Sequence, residues 1–558
     1  MKTRDLFILL VVCLLVFWAR LGHLGLIDPD EPFYALTAQE MLESGDWVTP
    51  QIFGEPQFEK PIFFYWMTAL CFKAFGITEW AARVPSALPA TLLVFLVYAF
   101  ATRMFSRRTA LFSAVVLATG LEYAIMSRLM LTDIALALFI AASLFCYWLA
   151  LEEEARRTRW VILHFMFAAL AVLTKGPLPT LISVLATVTY SLVAKRGHPY
   201  RSIGLWGGIA VYLLIAAPWY AVMFWKFGWA YFDAFVVHEN IMRLLHAEHA
   251  SSRHVYYYIG ILAGGSIPWM PVVVTVCYRG LQGIRHDPRL VFLWSWLLTS
   301  LVFLTIAQSK LPSYIFFAFV PLALLAGVAL DEISSKGFRN SRERIVVLSL
   351  CCLQAIVPLL PAIANGLLAA NPDLGKSGIL ALSVVRQSAP FVIPATLFAA
   401  CLGAAAIFLW RGKMTAWLVA NAAATVSLVL GALTFSAAHV EASSSSRPIA
   451  KAMLEKRRGD EPLLAGTFLC RGIRFYTHLP VAVLAMKEKP FNWTQHALPV
   501  VVLEAGLRSF LKEHPSALCA LRRGDWTHYW EPLGLSDAGM PPAWWGDNVV
   551  IRFGKPQP

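Results

Sequence analysis

The sequence predicts a polytopic α-helical membrane protein with a small soluble α/β domain at its C-terminal end. Of the 558 residues, 58% are hydrophobic and 15% are charged, and the mean hydropathy is +0.61. Soluble domains do not have this composition. Long apolar runs recur as far as residue 436, whereas from residue 437 short polar and apolar segments alternate between prolines and glycines. The chain therefore divides into a membrane domain, residues 1–436, and a soluble domain, residues 437–558.

The first apolar run covers residues 6–26 and follows Lys2 and Arg4. Because no small-residue cleavage site comes after it, we interpret the run as a membrane anchor and expect the N-terminus in the cytoplasm. Further spans are predicted at roughly 82–104, 109–127, 134–151, 160–174, 177–194, 203–225, 256–278, 290–307, 312–331, 345–364, 389–410 and 414–436. The total is about 13 spans, an odd number, which places the soluble domain opposite the N-terminus.

Basic residues collect in alternate connections between the predicted spans. These connections hold Arg103, Arg107 and Arg108; Arg156, Arg157 and Arg159; Lys195, Arg196 and Arg201; Arg279, Arg285 and Arg289; Lys336, Arg339, Arg342 and Arg344; and Arg411 and Lys413. Short basic loops on one side follow the positive-inside rule. Topology and anionic lipid head groups then account for the net charge of +13, which argues against nucleic-acid binding.

The other connections carry the unusual polar clusters. They hold the loop 28–80, Arg128 to Asp133, Lys175-Gly-Pro177, the stretch 226–256 and Ser309-Lys-Leu-Pro-Ser-Tyr314. Clusters scattered at random would be split between the two faces of the membrane. Their collection on one face predicts a single active site that faces the periplasm or the cell exterior.

The residues after 437 have the pattern of a compact α/β domain. Strands are predicted at 463–468, 481–485, 500–503 and 549–553, and helices at 448–458 and 507–513. This domain could bind an acceptor, or it could be a lid or support that packs on the membrane domain.

Most of the nine cysteines fall in or beside apolar segments, where cysteine acts as a small buried hydrophobic residue. Cys470 and Cys519 lie in the soluble domain, so a disulfide between them is chemically allowed in an oxidising compartment. The sequence has no CxxC pair, zinc-ribbon spacing, Walker loop or GxGxxG loop after a strand. An activated substrate is therefore expected to arrive in the membrane and not as a soluble nucleotide.

The first outer loop places acids and a lysine directly after a hydrophobic span. Asp30 and Glu31 stand near its start, and Glu59 and Lys60 near its other end. A carboxylate there could orient or deprotonate an acceptor, and the lysine could neutralise a phosphate. The alternative is a structural one, in which Asp28 or Asp30 caps a short interfacial helix.

Four further clusters could complete a phosphate site. Asp133 opens a predicted span and could also be a plain helix cap. Lys175 lies at a helix break before Gly-Pro, where it could bind an anion or extend toward the membrane surface. His238 and Arg243 share an outer segment, and Tyr314 follows Lys310 at the spacing of one helical face.

Glycosyl transfer from a polyprenyl phosphate needs such a set of residues. Its leaving group is a phosphate, and fixed Lys, Arg and Tyr donors match the negative charge that develops on it. A phosphate acceptor is already ionised near neutral pH, whereas a hydroxyl acceptor would need a base such as Asp30. The rival interpretations are a lipid-linked sugar transporter, which should show internal repeats and polar groups at the bilayer midplane, and a structural scaffold.

At the level of motifs, the chain resembles the bacterial aminoarabinose transferases that modify lipid A, and more broadly the GT-C glycosyltransferases related to protein O-mannosyltransferases. The matching pieces are Asp30-Glu-Pro-Phe-Tyr-Ala, Met41-Leu-Glu-Ser-Gly-Asp-Trp-Val-Thr-Pro50, Phe58-Glu-Lys-Pro61, Tyr65-Trp66, Ala82-Arg-Val-Pro-Ser-Ala87, Leu131-Thr-Asp133, Leu173-Thr-Lys-Gly-Pro177 and Ser309-Lys-Leu-Pro-Ser-Tyr314. The resemblance covers nearly the whole membrane domain.

The resemblance implies a set of roles. It makes Asp30 and Asp133 the catalytic acids, Lys60, Lys175, Arg243 and Tyr314 the contacts to the substrate phosphate, and Glu59 with His238 a metal-binding pair, with zinc as the candidate divalent metal. It also implies an undecaprenyl-phosphate-linked sugar as donor, lipid A as acceptor, and an inner-membrane location with the site facing the periplasm.

Two motifs depart from the pattern of the aminoarabinose transferases. Those proteins typically show Lys-Pro-Pro and His-Glu-His near the site, where this chain has Lys60-Pro-Ile62 and His238-Glu-Asn240. Both changes could alter the choice of sugar or acceptor. Transfer to another lipid, a glycan or a protein hydroxyl therefore stays an alternative.

Overall fold

The protein is seen here as a computed structural model that describes residues 2–200, 203–242, 245, 254–283, 287–360, 363, 388–485, 501–503, 510, 513–514, 516–527 and 542–554. Its helices are α1 (Thr3–Cys13), α2 (Asp30–Ser44), α3 (Phe63–Phe75), α4 (Glu79–Met104), α5 (Arg107–Thr119), α6 (Leu121–Met126), α7 (Thr132–Glu152), α8 (Arg157–Lys175), α9 (Leu178–Ala194), α10 (Gly204–Phe227), α11 (Trp229–Tyr231), α12 (Tyr257–Gly265), α13 (Met270–Gly283), α14 (Pro288–Ile306), α15 (Phe319–Lys336), α16 (Ser341–Ile356), α17 (Val392–Trp410), α18 (Met414–Gly431), α19 (Ala437–Ser444), α20 (Arg447–Lys456), α21 (Cys470–Thr477) and α22 (Arg523–Asp525). Segments of 3₁₀ helix occur at Glu154–Arg156, Pro312–Ala318, Val357–Leu359 and Ala389–Phe391, and π-helical segments at Leu14–Trp18, Phe232–Met242 and Ala432–Ser436.

Within the described residues, eight helical segments are long and apolar enough to cross a membrane. They are Glu79–Met104, Thr132–Glu152, Glu154–Lys175, Gly204–Phe227, Pro288–Ile306, Pro312–Lys336, Ala389–Trp410 and Met414–Ser444. Each coincides with a predicted span, so these eight predictions are confirmed. The chain has the helices of a multi-pass membrane protein.

The remaining five predicted spans are shorter or broken helices. The run 6–26 is α1 with a π-helical turn that ends at Trp18, and the run 177–194 is α9, which is 17 residues long. The run 345–364 corresponds to α16, 16 residues long, followed by a 3₁₀ turn; residues 361, 362 and 364 lie outside the described part. The count of about 13 spans stays a prediction.

Each of the other two predicted spans contains a helix break, and residues at the two breaks form hydrogen bonds with each other. The run 109–127 is interrupted at Gly120, which is extended, between α5 and α6, and the run 256–278 is interrupted between α12 and α13. The Leu121 N–H donates to the Ile267 carbonyl at 2.8 Å, and the Trp269 indole donates to the Thr119 hydroxyl at 2.9 Å. Polar groups at each break therefore form hydrogen bonds with polar groups at the other. Both breaks can thus lie inside an apolar bundle.

The membrane helices differ in how much of their surface the protein covers. In the most apolar window of Thr132–Glu152, 89% of residues are buried, and for Pro312–Lys336 the value is 83%. For Gly204–Phe227 it is 22%, and Leu214 and Trp225 on that helix are 73% and 84% exposed. The first two helices thus form the centre of the bundle, and the third presents apolar side chains to lipid.

The first outer loop folds into α2, a two-stranded hairpin and α3. The strands β1 (Gln51–Ile52) and β2 (Glu55–Pro56) pair antiparallel, with Phe53 and Gly54 at the turn in the left-handed region. Pro29 precedes α2 and no side chain caps that helix. The alternative in which Asp28 or Asp30 is an N-cap is therefore wrong.

The C-terminal residues form a six-stranded sheet. Its strands are β3 (Leu463–Gly466), β4 (Val481–Ala485), β5 (Val501–Leu503), β6 (Ser516–Arg522), β7 (Ala543–Trp545) and β8 (Asn548–Gly554), in the order β5-β4-β3-β6-β8-β7. The first four pair in parallel, with Leu463 opposite Val481 on one side and Leu518 on the other, while β8 runs antiparallel to β6 and β7.

The strands predicted at 463–468, 481–485 and 549–553 are confirmed, as is the helix at 448–458, which is α20. The strand at 500–503 is confirmed as β5 except for residue 500, which lies outside the described part. Most of the helix predicted at 507–513 also lies outside it. The sequence did not predict β6, β7 or α21. Cys470 and Cys519 are both buried free thiols, so the disulfide that the sequence allowed is not formed.

Candidate active site

An ion pair joins the ends of two neighbouring membrane helices. Asp133 lies in the first turn of α7 and Lys175 is the last residue of α8, before Gly176 at a φ of +101°. The Lys175 ammonium donates to the Asp133 carboxylate at 2.5 Å, and Asp133 is 5% exposed. Each charge also suits the dipole of its own helix. Asp133 is not the N-cap of α7, because Leu131 occupies that position. Lys175 does not extend toward the membrane surface, because its ammonium pairs with a carboxylate.

Tyr314 covers this ion pair from the 3₁₀ segment Pro312–Ala318. The Lys175 ammonium lies 4.8 Å from the centroid of the Tyr314 ring, a cation–π distance. Lys310, which the sequence coupled to Tyr314, is buried and does not line the same cavity.

A second ion pair joins the first outer loop to the π-helical segment Phe232–Met242. The Lys60 ammonium donates to Glu239 at 3.1 Å and to the carbonyl of Glu59 at 3.2 Å. The side chains of Lys60 and Glu239 are 15% and 5% exposed, so both charges are largely removed from solvent. His238, which the sequence singled out on the same segment, is exposed. Arg243 lies outside the described residues.

The two ion pairs border one cavity. It is lined by Glu59, Lys60, Leu136, Lys175, Leu178, Ile182, Phe235, Glu239, Asn240, Phe303, Leu304, Ala307, Ser309, Tyr314 and Phe317. Its charged residues are Glu59, Lys60, Lys175 and Glu239, and most of its apolar residues come from helices of the membrane bundle. A cavity lined by both kinds of residue suits a molecule with an anionic head and a hydrocarbon chain. Of the eight site residues predicted from the sequence, four line it: Glu59, Lys60, Lys175 and Tyr314.

Asp30 lies beside this cavity and not in its wall. It is the first residue of α2 and is exposed. Desolvation by the surrounding protein nevertheless raises the pKa of its carboxyl above the usual value, and Glu31 and Asp133 raise it further. The positive charges of Arg471 and Lys60 oppose this rise in pKa. One residue of each ion pair, and Arg471 from the C-terminal sheet region, therefore influence the pKa of Asp30.

Glu31 has a different task from its neighbour. Its carboxylate is 2% exposed and accepts two hydrogen bonds from Arg83, at 2.6 and 2.9 Å. It also accepts from the backbone N–H groups of Ile27 and Met130, each at 2.7 Å. Glu31 is thus a structural residue that ties the start of α2 to α4 and to the segment before α7.

The residues expected to hold a metal do not form a complete site. Among the residues that the structure describes, no group of three or more His, Cys, Asp or Glu side chains is placed to hold a metal ion. Structural zinc sites have four ligands and catalytic ones three protein ligands. Glu59 and His238 alone do not meet that requirement, and no step is assigned to a metal.

Two charged residues of the site were not predicted from the sequence. Glu239, which pairs with Lys60, was missed because the sequence analysis selected its neighbour His238 as the functional residue. Arg471 lies more than 400 residues from Asp30 in the chain, and no local pattern connects the two.

The geometry can be compared with known proteins. The family model for dolichyl-phosphate-mannose-protein mannosyltransferase matches residues 2–233. The undecaprenyl phosphate-alpha-4-amino-4-deoxy-L-arabinose arabinosyl transferase of Pseudomonas paraeruginosa is 33% identical over 345 residues, which cover 60% of this chain and 61% of that protein. The protein of the same name from Erwinia tasmaniensis is 29% identical over 398 residues, 69% of this chain and 70% of that one. The chain thus spans less than two thirds of the length of the first of these relatives.

The fold has solved counterparts. The crystal structure of ArnT from Cupriavidus metallidurans bound to undecaprenyl phosphate matches with a TM-score of 0.79 at 24% identity, over 100% of both chains. The apo structure of the same protein matches with a TM-score of 0.75 at 24% identity, over 99% of both chains. The sequence relatives confirm the resemblance predicted from the motifs, and the overall fold is that of these solved structures.

Proposed function

We propose that the chain is a glycosyltransferase that moves a sugar from an undecaprenyl-phosphate-linked donor to an acceptor on the periplasmic face of the inner membrane. The best-supported pair is aminoarabinose as the sugar and a lipid A phosphate as the acceptor. The observation that carries the proposal is one cavity lined both by Lys60, Lys175 and Tyr314 and by apolar side chains of the membrane helices. The names of the relatives agree with this donor.

The donor phosphate would bind beside the two lysines of the cavity. Lys60 and Lys175 are held there by Glu239 and Asp133, which fix the positions of both ammonium groups until a phosphate replaces the carboxylates as their partner. As the bond between the sugar carbon and the phosphate oxygen breaks, negative charge grows on the phosphate. The two lysines and the Tyr314 hydroxyl stabilise that charge without reorganising.

The acceptor would approach from the side of Asp30. An acceptor phosphate is already ionised and attacks the sugar carbon directly, in which case Asp30 only orients it. With a hydroxyl acceptor, Asp30 takes the proton as general base. The Asp133 carboxylate accepts a hydrogen bond from Lys175, and its charge also raises the pKa of Asp30. Asp133 would thus hold the Lys175 ammonium toward the leaving group.

The proposal includes the membrane topology and the division of the chain into two domains. Residues 1–436, including the loop 28–80, would form a GT-C membrane domain of about 13 spans, and residues 437–558 a soluble periplasmic α/β domain. The support is the separation of charges along the bundle. The cavity lies at the end where α7 begins, whereas Arg103, Arg196 and Arg289 lie together at the end where α7 terminates.

The experiment is mass spectrometry of lipid A after incubation with purified protein and undecaprenyl phosphate-linked aminoarabinose. Addition of one aminopentose mass to a lipid A phosphate by the wild type, and not by Asp30→Asn, supports the proposal. No addition by a folded wild type that binds undecaprenyl phosphate would reject this donor and acceptor pair. The test then moves to other polyprenyl-linked sugars and to hydroxyl acceptors.

A further inference from the structure

One buried hydroxyl in the wall of the cavity has no partner in the protein. Ser309 lies in the connection between α14 and the 3₁₀ segment Pro312–Ala318, and it lines the same cavity as Lys60 and Lys175. It is 2% exposed. In the part of the chain that the structure describes, no group forms a hydrogen bond with its hydroxyl. The cavity wall thus holds a polar group that the protein itself leaves unsatisfied.

The position of Ser309 in the chain explains why its hydroxyl is unsatisfied. A serine inside a helix can donate to the carbonyl four residues earlier, as Ser300 on α14 does to Trp296 at 2.8 Å. Ser309 follows Ile306, the last residue of α14. The helical geometry that would bring its hydroxyl to a carbonyl one turn earlier is therefore absent.

An unsatisfied buried hydroxyl is costly. Moving a hydroxyl out of water without a new hydrogen bond lowers the stability of the folded protein. Buried polar groups in native proteins almost always have a partner for this reason, and an exception requires an explanation. Because Ser309 lines a cavity, a molecule that fills the cavity can supply the missing partner.

The chemistry of the proposed donor indicates which part of it meets this hydroxyl. The connection that carries Ser309 also supplies Tyr314 to the cavity wall, and the Tyr314 ring lies 4.8 Å from the Lys175 ammonium. A prenyl chain has no hydrogen-bonding group to offer. A phosphate oxygen is ionised, and a hydrogen bond from a hydroxyl to an ionised oxygen is about twice as strong as one between neutral groups.

We propose that the Ser309 hydroxyl donates a hydrogen bond to the donor phosphate and completes a phosphate site with Lys60, Lys175 and Tyr314. This inference rests on the proposed function, because it adds a contact to the donor of that same reaction. The lysines neutralise the charge of the phosphate, whereas the neutral hydroxyl adds a directional bond. That bond also stabilises the charge that grows on the phosphate as it leaves the sugar carbon.

The test measures the binding of undecaprenyl phosphate and of undecaprenol, which lacks the phosphate, to the purified full-length protein. Ser309→Ala should weaken the binding of undecaprenyl phosphate by about 10- to 100-fold, the effect of losing a hydrogen bond to a charged group, and leave the binding of undecaprenol unchanged. Ser309→Cys keeps the volume of the side chain but has only a weak donor, so it should show a similar loss. The control is Ser300→Ala, which removes a buried hydroxyl outside the cavity and should bind both lipids as wild type does.

Thermal stability gives a second readout that a purely structural serine would move in the opposite direction. Without ligand, Ser309→Ala should melt at the same temperature as wild type or higher, because the hydroxyl that it removes has no partner. Undecaprenyl phosphate should raise the melting temperature of Ser309→Ala less than that of wild type, because it binds the variant more weakly. A ligand-free Ser309→Ala protein that melts below wild type would overturn the inference, since the hydroxyl would then have a structural partner.

The comparison of the two lipids separates this inference from the proposed function. If wild type and Ser309→Ala show the same preference for undecaprenyl phosphate over undecaprenol, the inference is overturned while the proposed donor stands. If Ser309→Ala loses part of that preference but wild type transfers no sugar, the proposed reaction is overturned and the phosphate contact of Ser309 stands. A wild type without any preference for the phosphate overturns both.

Discussion

Asp30 and Glu31 are adjacent acids with opposite tasks. Glu31 is closed in by Arg83 and two backbone N–H groups, whereas Asp30 begins α2 with its side chain exposed. A buried carboxylate with a full set of hydrogen bonds has no capacity left for a substrate. We therefore assign Glu31 a structural role, and Asp30 stays the proposed catalytic residue.

Replacing Asp30 with Asn should remove the transfer reaction while the protein stays folded. We expect a fall in kcat of about 10²- to 10⁴-fold if Asp30 acts as general base, the range typical of such groups. Steady-state transfer and the melting temperature of the detergent-solubilised protein measure the two effects. The matched control is Glu31→Gln, which should lower the melting temperature, since it weakens a buried ion pair. A Glu31→Gln protein of unchanged stability would contradict the division of tasks.

The pH dependence of transfer should report on Asp30. Its pKa is raised by desolvation, Glu31 and Asp133, and lowered by Arg471 and Lys60. Because the proposed role of Asp30 requires the ionised carboxylate, activity should fall as the pH decreases through that raised pKa. Removing the Arg471 charge raises the pKa further, so in Arg471→Gln the acid limb of the kcat profile should move to higher pH. A shift to lower pH, or none, would contradict this assignment.

Lys175 should contribute to donor binding. We expect Lys175→Met to raise the KM for the donor by about 10- to 100-fold, because a hydrogen bond to a charged group contributes about 1.5–3 kcal/mol. Initial rates at varied donor and fixed acceptor measure it. The control is Lys226→Met, since Lys226 pairs with Asp46 at 3.3 Å and does not line the cavity. Equal effects of the two substitutions would mean that Lys175 acts only through general charge or folding.

At the residue scale, motif spacing predicted three of the four charged residues that line the cavity, namely Glu59, Lys60 and Lys175, and also Tyr314. Lys60, Lys175 and Tyr314 stand in short polar motifs next to apolar runs, where a charge is costly without a purpose. Glu239 was missed because the sequence analysis assigned its neighbour His238 to a metal-binding pair and gave Glu239 no role. Arg471 could not have been found, because its contact with α2 depends on the docking of residues hundreds of positions apart.

At the element scale, the docking of α21 on the first outer loop decides the geometry around Asp30. Asp28, Leu26 and Phe72 on the loop side contact Ser446, Tyr476 and Phe475 on the other. Arg447 adds an ion pair with Glu79 at 2.8 Å. Local patterning predicted most strands of the sheet from their alternation, but no periodicity in the sequence encodes which loop the sheet region meets.

Gly472→Ala should loosen this docking. The new Cβ would clash with Ser446 and Asp28, both buried, and overpacking of this kind costs about 1–3 kcal/mol. We expect a lower melting temperature and a higher KM for the acceptor. Gly524→Ala is the control, because a Cβ at Gly524 meets no atom within 4 Å. If both variants melt like wild type, the close contact between α21 and the loop is not present in solution.

At the scale of the whole molecule, hydropathy predicted the bundle but not all of its helices. Eight predicted spans are single long helices, and the breaks at Gly120 and near Ile267 escaped detection because their polar groups bond across the bundle. A hydropathy window reports composition, and composition does not change at such a break. The segregation of polar clusters to one end, in contrast, follows from the span order alone.

The whole-molecule organisation also bears on transport. A lipid-linked sugar transporter should move its substrate across the bilayer and keep its polar site near the midplane. Here the charged residues collect at helix ends, with Asp133 in the first turn of α7 and Lys175 at the last residue of α8. In sealed proteoliposomes we expect sugar transfer to an acceptor on one face with no movement of donor to the other. Donor movement without transfer would support the transporter.

The central claim is that the cavity between the two ion pairs holds the donor phosphate. The measurement that tests it most directly is an experimental structure of the protein with undecaprenyl phosphate. We predict the phosphate within hydrogen-bond distance of Lys60, Lys175 and Tyr314, with the prenyl chain along Leu136, Ile182 and Phe303. A phosphate bound elsewhere, for example among Arg103, Arg196 and Arg289 at the opposite end of the bundle, would contradict the account.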